Sequence, residues 1–419
     1  MNNLIDKFFF RSQNLNYINL SFKNIINETE IDKIFIAINL FSENSEIRYV
    51  GGCIRKIINK EKIDDIDLAV NLNPAEVCSA LNKENIKYYE SGIEHGTITA
   101  IINNNKFEIT SLRKDIDTDG RHAKVSFTKD WHEDALRRDF SINSIYADRY
   151  GNLFDPFNGK KDLENGEIIF IGDAEKRIKE DYLRVLRYIR FFLNYSKYEH
   201  NPQVIKVIKK NLKGLSRISP ERLLDEFKKL SKSEGFLKLP KDKFCLEIIN
   251  LIFPQFKNIN IFKKLNNFAK ESIFNLDFTF LIALMTVDDT DNVNYFLYKF
   301  NISKKNQKRI LFLKEFNSLK ITHKNLNKIL YFNGKEAVMD IIYFNIFKSK
   351  KVDNKIITMI QTFKEKKIPL LPLSATTLMT KYNIPEGKEL GDKLKKIEEI
   401  WVNNDFEIDE KKLKKIINS

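Results

Sequence analysis

Tyr49-Val50-Gly51-Gly52-Cys53-Ile54-Arg55, followed closely by Ile63-Asp64-Asp65-Ile66-Asp67-Leu68-Ala69-Val70, decides how this chain is read. The first run predicts a strand, a glycine turn and a short helix starting at Cys53. The second predicts a strand carrying two carboxylates. Gly51 and Gly52 let the backbone bend sharply and approach a ligand with no Cβ in the way. The first N–H groups of the helix that follows lack intrahelical partners, and phosphates commonly take that place. Asp65 and Asp67, two apart, share one face of a strand, with Ile66 and Leu68 turned into a core. Two neighbouring carboxylates repel each other unless a cation sits between them. A phosphate cradle beside a divalent-metal platform is what nucleotidyl transfer requires.

Asp-x-Asp by itself is a weak signal, and the chain supplies a control. Asp288-Asp289-Thr290-Asp291 copies the spacing, yet no apolar alternation follows it, which predicts a solvated turn or helix start. The glycine turn ahead of Asp65 and the apolar strand around Asp67 distinguish the first site.

A length of 419 residues predicts two to four domains, and 42% hydrophobic residues support globular folding. The net charge of +14 favours a polyanionic partner, most often nucleic acid. Asn, Ile, Lys and Phe are abundant throughout, as compositional drift produces, so the charge supports this inference without carrying it. Cys53, Cys78 and Cys245 fit neither a disulfide framework nor a zinc site, which predicts a reducing cytoplasm. No basic, then apolar, leader pattern follows Met1, and no apolar run approaches the ~20 residues that span a bilayer. A soluble cytoplasmic protein is expected.

Ahead of the glycine turn, Ile31, Ile34, Phe35, Ile38 and Phe41 recur at helical spacing and predict a supporting helix. Asn73-Pro74-Ala75-Glu76 reads as a helix start. Thr97–Ile102 and Lys106–Thr110 read as strands joined through Asn103-Asn104-Asn105, a hairpin. Glu108 lies on the second of these. It is either a third carboxylate reaching the metal site or an ordinary outward-facing strand residue. Asp115-x-Asp117-x-Asp119-Gly120 opens like a calcium-binding EF-hand loop, but Ser126 stands where the bidentate Glu belongs and His122 at a normally apolar position, which excludes calcium. A mobile, mixed-charge loop from Arg113 to Arg121 is expected instead.

Asp134 to Asn143 predicts a helix on which Asp139 and Asn143, four apart, share a face. Such a pair can grip the vicinal hydroxyls of ribose, with Arg138 addressing phosphate. The alternative is a salt-bridged surface turn. Gly151 to Gly159 reads as a hairpin turn closing the first domain. Beyond it the signals are mostly helical. Residues 177–193 predict one helix with Ile178, Tyr182, Val185, Leu186, Ile189 and Leu193 as its apolar stripe. Arg177, Asp181, Arg184 and Arg187 cluster opposite, either as a solvated face or as a reader of bases. Asp181 only accepts hydrogen bonds and Arg184 only donates them. Cytosine and adenine each present an amino donor beside a ring-nitrogen acceptor, whereas uracil and guanine set a carbonyl against the carboxylate. An Asp–Arg pair can therefore admit C and A and reject U and G.

Five motifs now stand in order: Gly51-Gly52-x-Ile54-Arg55 with Asp65-x-Asp67; Arg137-Arg138-Asp139-Phe140-x-x-Asn143; Asp155-Pro156-Phe157-x-Gly159; Glu180-Asp181-x-x-Arg184; and Ser219-Pro220-Glu221-Arg222 with Glu226. In these the chain resembles the class II tRNA nucleotidyltransferases (CCA-adding enzymes) of the DNA polymerase beta-like superfamily, over residues 48–230 with a weaker match beyond. The resemblance implies an α+β fold: a catalytic head at 1–155, a helical neck at 156–230, a helical body at 231–345 and a helical tail at 346–419. It implies addition of C, C and A to the 3′ end of tRNA from CTP and ATP, without a nucleic-acid template or an obligate protein partner. It also implies magnesium (Mg2+) on Asp65 and Asp67, to which the strand reading adds Glu108 as a third catalytic candidate, and the proposed chemistry is attack by the tRNA 3′-hydroxyl on the nucleotide α-phosphate.

The nucleotide-binding set is Gly51, Gly52, Arg55, Arg138, Asp139, Asn143, Asp181 and Arg184 from the matching motifs, with Arg187 added from the charged face of the 177–193 helix. Arg113, Asp115 and Arg121 fall in the family's flexible loop, which helps switch the site from C to A, and Glu221 and Arg222 would orient the neck helix. One departure is Lys56, where the family pattern has Asp. The lysines between Lys348 and Lys367 form a basic stretch, read either as a solvated face or as a contact to the tRNA backbone. Alternatives are a partial enzyme adding only CC or only A, a bacterial poly(A) polymerase, and a non-catalytic tRNA binder. Ile101-Ile102-Asn103-Asn104-Asn105 stands where the polymerase branch carries a Gly-Arg-rich stretch, and the charged loop argues against the CC-only form.

Overall fold

The computed structural model describes residues 17–117, 124–349 and 351–417. The chain divides into two compact units, Met1–Leu230 and Ser231–Ser419. The first opens with helices α1 (17–29) and α2 (Asp32–Asn39), the latter burying Ile34, Phe35 and Ile38 as its spacing predicts. Then come β1 (Ile47–Val50), α3 (Gly52–Ile58), β2 (Asp67–Val70), α4 (Pro74–Lys83), β3 (Lys87–Gly92), β4 (Thr97–Ile102) and β5 (Asn105–Ser111). A ribbon of β6 (Arg113–Asp117) and β7 (Lys124–Phe127) follows, with α5 (Trp131–Leu136), β8 (Tyr146–Ala147) and β9 (Leu153–Phe154) after it. The unit closes with α6 (Gly159–Asn165), α7 (Ala174–Glu180), α8 (Arg184–Tyr195), α9 (Pro202–Asn211) and α10 (Pro220–Ser231).

Seven strands form one mixed sheet in the order β3-β4-β5-β2-β1-β8-β9, while β6 and β7 pair apart from it. Local chemistry explains several borders. Asn73 caps α4 by accepting from Glu76 N while the Glu76 carboxylate accepts from Asn73 N, a reciprocal capping box. Asn103 and Asn104, both at positive φ, turn β4 into β5, as asparagine does in two-residue hairpins. Phe22, Phe35 and Tyr49 pack as tilted rings between the first two helices and the sheet.

The second unit contains helices and no strand among its described residues. Helix Phe278–Thr286 is apolar on nearly every side, as befits a helix buried all round. Its last segments gather Leu378, Leu390, Ile397, Leu413 and Ile416 into a separate cluster. Asp288 accepts from the Thr290 backbone in a turn ahead of helix Asn292–Phe300, so the control Asp-x-Asp is the solvated turn that its surroundings predict.

Four expectations need correction. Residues 177–193 are two helices, since the backbone is extended at Asp181 (φ −152, ψ 105) between α7 and α8. The Asp181 carboxylate accepts from Leu183 N, a local bond that competes with helix continuation. Asp134 to Asn143 is likewise not one helix: α5 stops at Leu136, Phe140 bridges Phe170, and Ser141–Asn143 is a 3₁₀ turn. Arg113 to Asp117 is strand rather than loop, and Arg121 lies outside the described residues. Finally, the hairpin turn runs through Asp148 to Asn152; Asp155 instead receives Gly159 N (2.7 Å) and Lys160 N (2.9 Å), opening α6.

Gly159 begins α6 against the backbone of that 3₁₀ turn. A Cβ there would lie 2.1 Å from Ser141 O and 2.6 Å from Ser141 C. Gly159→Ala is expected to destabilise the first unit by about 2–3 kcal/mol through overpacking. A urea midpoint equal to wild type would show that Ser141 yields freely.

Candidate active site

Strand pairing alone gathers the motifs at one end of the sheet. β1 runs antiparallel to β2 with Tyr49 opposite Leu68, so the turn leaving β1 lies level with the start of β2. β5 runs parallel to β2, with Glu108 directly beside Asp67. β8 is antiparallel to β1 with Val50 opposite Tyr146, which brings the segment before Tyr146, including Asn143, to the same end. Gly51 N donates to Ile145 O at 3.1 Å and closes the arrangement.

Gly51 adopts φ 69, ψ −112, a conformation open to glycine and strained for other residues. A Cβ there would meet Arg138 Nη1 and Asn143 O only at ordinary contact distance, 3.6 Å, so the backbone conformation is what requires glycine. The helix after it begins at Gly52, one residue earlier than predicted. Arg55, on this helix, is buried and donates to Asn143 Oδ1 and, through Nε, to Tyr195 Oη at 3.3 Å. Its guanidinium lies 4.7 Å from the Phe191 ring centre, a cation–π contact.

Asp67 opens β2, while Asp65 precedes the strand, so the two do not share a strand face as predicted. Both remain at the site, exposed in the case of Asp65 and partly buried in that of Asp67. Burial raises the Asp67 pKa above the ordinary carboxylate value, with Glu108 and then Asp65 adding repulsion and Arg138 and Arg55 opposing it. Among the described residues no protein donor bonds to the carboxylates of Asp65, Asp67 or Glu108. An Asp67 carboxylate repelled by both Glu108 and Asp65, with no protein donor on any of the three, fits a divalent cation. Their oxygens do not all lie within 4.8 Å of one another, which leaves the cradle open.

The Arg138 guanidinium is held on its inner side. Asp134, buried, accepts from Arg138 Nη2 (3.0 Å), Arg137 Nε (2.7 Å) and Tyr146 Oη (2.7 Å). Although burial alone would raise it, Arg138 and Arg137 hold the Asp134 carboxyl well below the usual range. Asp139 is buried too, and accepts from Asn143 Nδ2 at 2.9 Å and from Arg187. Asp139 and Asn143 therefore meet as predicted, through a loop and a 3₁₀ turn rather than along one helix. Against the effect of burial, Arg187 keeps Asp139 ionised far below its ordinary pKa. Arg187 also lies 3.9 Å from Glu226 on α10, which receives Arg190 Nε at 2.5 Å.

The side chains of Asp181 and Arg184 are not paired to each other; the bond between the two residues is Arg184 N to Asp181 O at 3.0 Å. Arg222 donates to Asp181 Oδ2 at 2.7 Å, while Arg184 Nη1 donates to Glu180 Oε2 (2.6 Å) and to Arg177 O (2.8 Å). Both side chains are fixed by neighbours, which suits a rigid reader. Arg113 donates to His95 O from β6, and burial first, then Arg137, pulls its pKa down to about 10. Asp115 sits on the same strand, partly buried. Of the basic stretch, Lys348 and Lys366 are bonded to Asn317 and Asn327, Lys355 and Lys364 are exposed, and Lys350 lies outside the described residues.

Sequence reading missed Phe191 and Tyr195 beneath Arg55, and Asp134 and Tyr146 behind Arg138. The first pair left a trace, because Arg187, Phe191 and Tyr195 recur every four residues along one face of α8. Of the second pair, Asp134 stands three and four residues before Arg137 and Arg138, a local acid–base spacing, whereas Tyr146 depends on β8 returning beside α5 and had no local signature.

The buried Asp139 carboxylate predicts a pH dependence. A depressed folded-state pKa contributes stability that is full above the ordinary carboxylate range and is lost as pH falls through the depressed value. Arg187→Gln is expected to move acid unfolding to higher pH and to cost about 3–5 kcal/mol near neutrality, since it strands a buried charge. An unchanged acid transition, followed by circular dichroism, would contradict the assignment.

The poly(A) polymerase head domain model matches residues 47–169. The human CCA tRNA nucleotidyltransferase 1, mitochondrial, is 51% identical over 141 residues, covering 33% of this chain and 32% of that relative. The mouse protein of the same name is 32% identical over 336 residues, 77% of this chain and 74% of its own length. The solved Bacillus stearothermophilus CCA-adding enzyme in complex with CTP superposes with a TM-score of 0.69 at 21% identity, covering 90% of this chain and 93% of that one, a likeness of fold. No described helix is long and apolar enough to cross a membrane.

Proposed function

This chain belongs to the CCA-adding tRNA nucleotidyltransferase family, and we propose that it adds C, C and A in turn to the 3′ end of tRNA, taking CTP and ATP and releasing pyrophosphate, with magnesium as its metal. The observation that carries this reading is the meeting, at one sheet end, of the Gly51 turn, the Asp65–Asp67–Glu108 carboxylates and the Asp139–Asn143 pair. Asp65 and Asp67 hold the cation, with Glu108 beside them. Bound there, magnesium supplies Lewis-acid charge for the 3′-hydroxyl and the triphosphate.

The chain's own residues do the rest. The Gly51 turn admits the triphosphate close to the backbone, because no side chain intervenes beneath Arg138. Arg138 turns its Nη1 edge toward that turn, where Nη1 has one bond, to Asn143 O at 3.4 Å, its other nitrogens being committed to Asp134 and Tyr146. Asn143 and Asp139 face the ribose, and Arg55 and Arg187 hold them in place. Asp181 and Arg184 offer an acceptor and donors to the base edge, and Arg222 and Glu180 fix their directions. The template is thus protein. The ribbon at Arg113 and Asp115 adjusts the pocket between C and A. Three free cysteines, Cys53, Cys78 and Cys245, suit a reducing compartment such as the cytoplasm.

Single-turnover extension of a tRNA ending at the discriminator base tests the assignment. Asp67→Ala is expected to lower the rate at least ~100-fold while tRNA affinity stays within twofold, as for loss of a transition-state contact. A non-catalytic tRNA binder would show no change with Asp67→Ala. Arg222→Ala, which frees the Asp181 carboxylate, is expected to raise UTP and GTP use relative to CTP and ATP by about tenfold. Retained discrimination in that variant would remove Arg222 from the template.

A further inference from the structure

Residues 61–66, which deliver Asp65 to the site, have no regular secondary structure of their own. Their path is set by α3. Glu61 N donates to Lys56 O at 2.8 Å, and Ile63 and Ile66 pack partly buried on the core of the first unit. Lys56 Nζ then donates to Asp64 Oδ2 at 2.8 Å. At the other end of the segment, Cys53 Sγ lies 3.4 Å from Val50 O and 4.0 Å from Asp67 O. The same short helix therefore touches the acidic segment on both sides of Asp65.

The acids of this segment divide by partner. Among the described residues a protein cation binds Asp64, while the carboxylates of Asp65 and Asp67 accept no protein hydrogen bond. Asp64 and Asp65 are consecutive, with Cα atoms 3.8 Å apart by covalent geometry. Fixing one limits where the other can stand. Left unbound, Asp64 would be a third carboxylate on a loose loop, free to draw the cation off the Asp65–Asp67 pair.

We propose that Lys56 is a positioning residue for the metal site, anchoring Asp64 to α3 so that Asp65 is presented beside Asp67 and Asp64 is kept from competing. The proposal rests on the metal reading of Asp65 and Asp67. The pair is solvent-accessible, its side chains 25% and 62% exposed, so its worth to global stability is small. Its signature belongs in metal affinity rather than in the melting temperature. Reversing both charges should rebuild the contact.

The test uses the full chain with CTP and Mn2+, following free Mn2+ by electron paramagnetic resonance. Lys56→Asp is expected to weaken Mn2+ binding about three- to tenfold, with tRNA affinity and melting temperature near wild type. Combining Lys56→Asp with Asp64→Lys is expected to restore affinity to within about twofold. Wild-type affinity in Lys56→Asp, or failure of the double reversal to restore binding, would overturn the proposal. Asp65→Ala separates the two levels: if it leaves Mn2+ binding intact, the metal reading itself falls, and the role of Lys56 with it.

Discussion

Asp139 is buried, and its charge survives there because Arg187 and Asn143 meet it from different parts of the chain. An unpaired carboxylate in that position would protonate or unfold its surroundings. The requirement ties the loop before β8 to helix α8, and α8 to α10 through Glu226. Arg55 joins the same assembly by donating to Asn143 and lying over Phe191. In the proposed function, the Asp139–Asn143 pair that faces the ribose is thus held in place by Arg187 and Arg55. Pre-organisation of this kind avoids reordering cost when substrate arrives.

A second constraint acts at the break between α7 and α8. Asp181 and Arg184, read from sequence as neighbours on a continuous helix, fall on either side of a helix break, with Asp181 itself extended, and their side chains are bound to Arg222 and Glu180. A carboxylate and a guanidinium paired to each other would satisfy one another and offer less to a base. Held apart by other partners, each keeps part of its hydrogen-bonding edge for a ligand. In the proposed function the helix break that confounds a periodic reading is what leaves these edges to a base, since local propensity yields where a site needs special geometry.

Much of the first unit was legible. The Asn73-Pro74 helix start and the asparagine hairpin are local signals, and each forms as the residues dictate, whereas β2 starts only at Asp67 and buries Leu68, Ala69 and Val70 without the alternation expected of it. The placement of Glu108 beside Asp67 could not be read locally, because parallel pairing of β2 with β5 is decided by the whole sheet. Helices across Asp134–Asn143 and 177–193 were misread for one reason: apolar periodicity continues across both breaks, while Asp side chains and the Phe140–Phe170 bridge redirect the backbone. Lys56 read as a lost acid; only the fold shows Asp64 opposite it.

The measurement that bears most directly on this account is the 3′-end sequence produced when wild-type protein, magnesium and a tRNA ending at the discriminator base are given all four nucleoside triphosphates together. The account predicts C, C and A added in that order, then arrest, with no U or G incorporated. A long adenosine tail, arrest after CC, or incorporation that follows nucleotide abundance would contradict it.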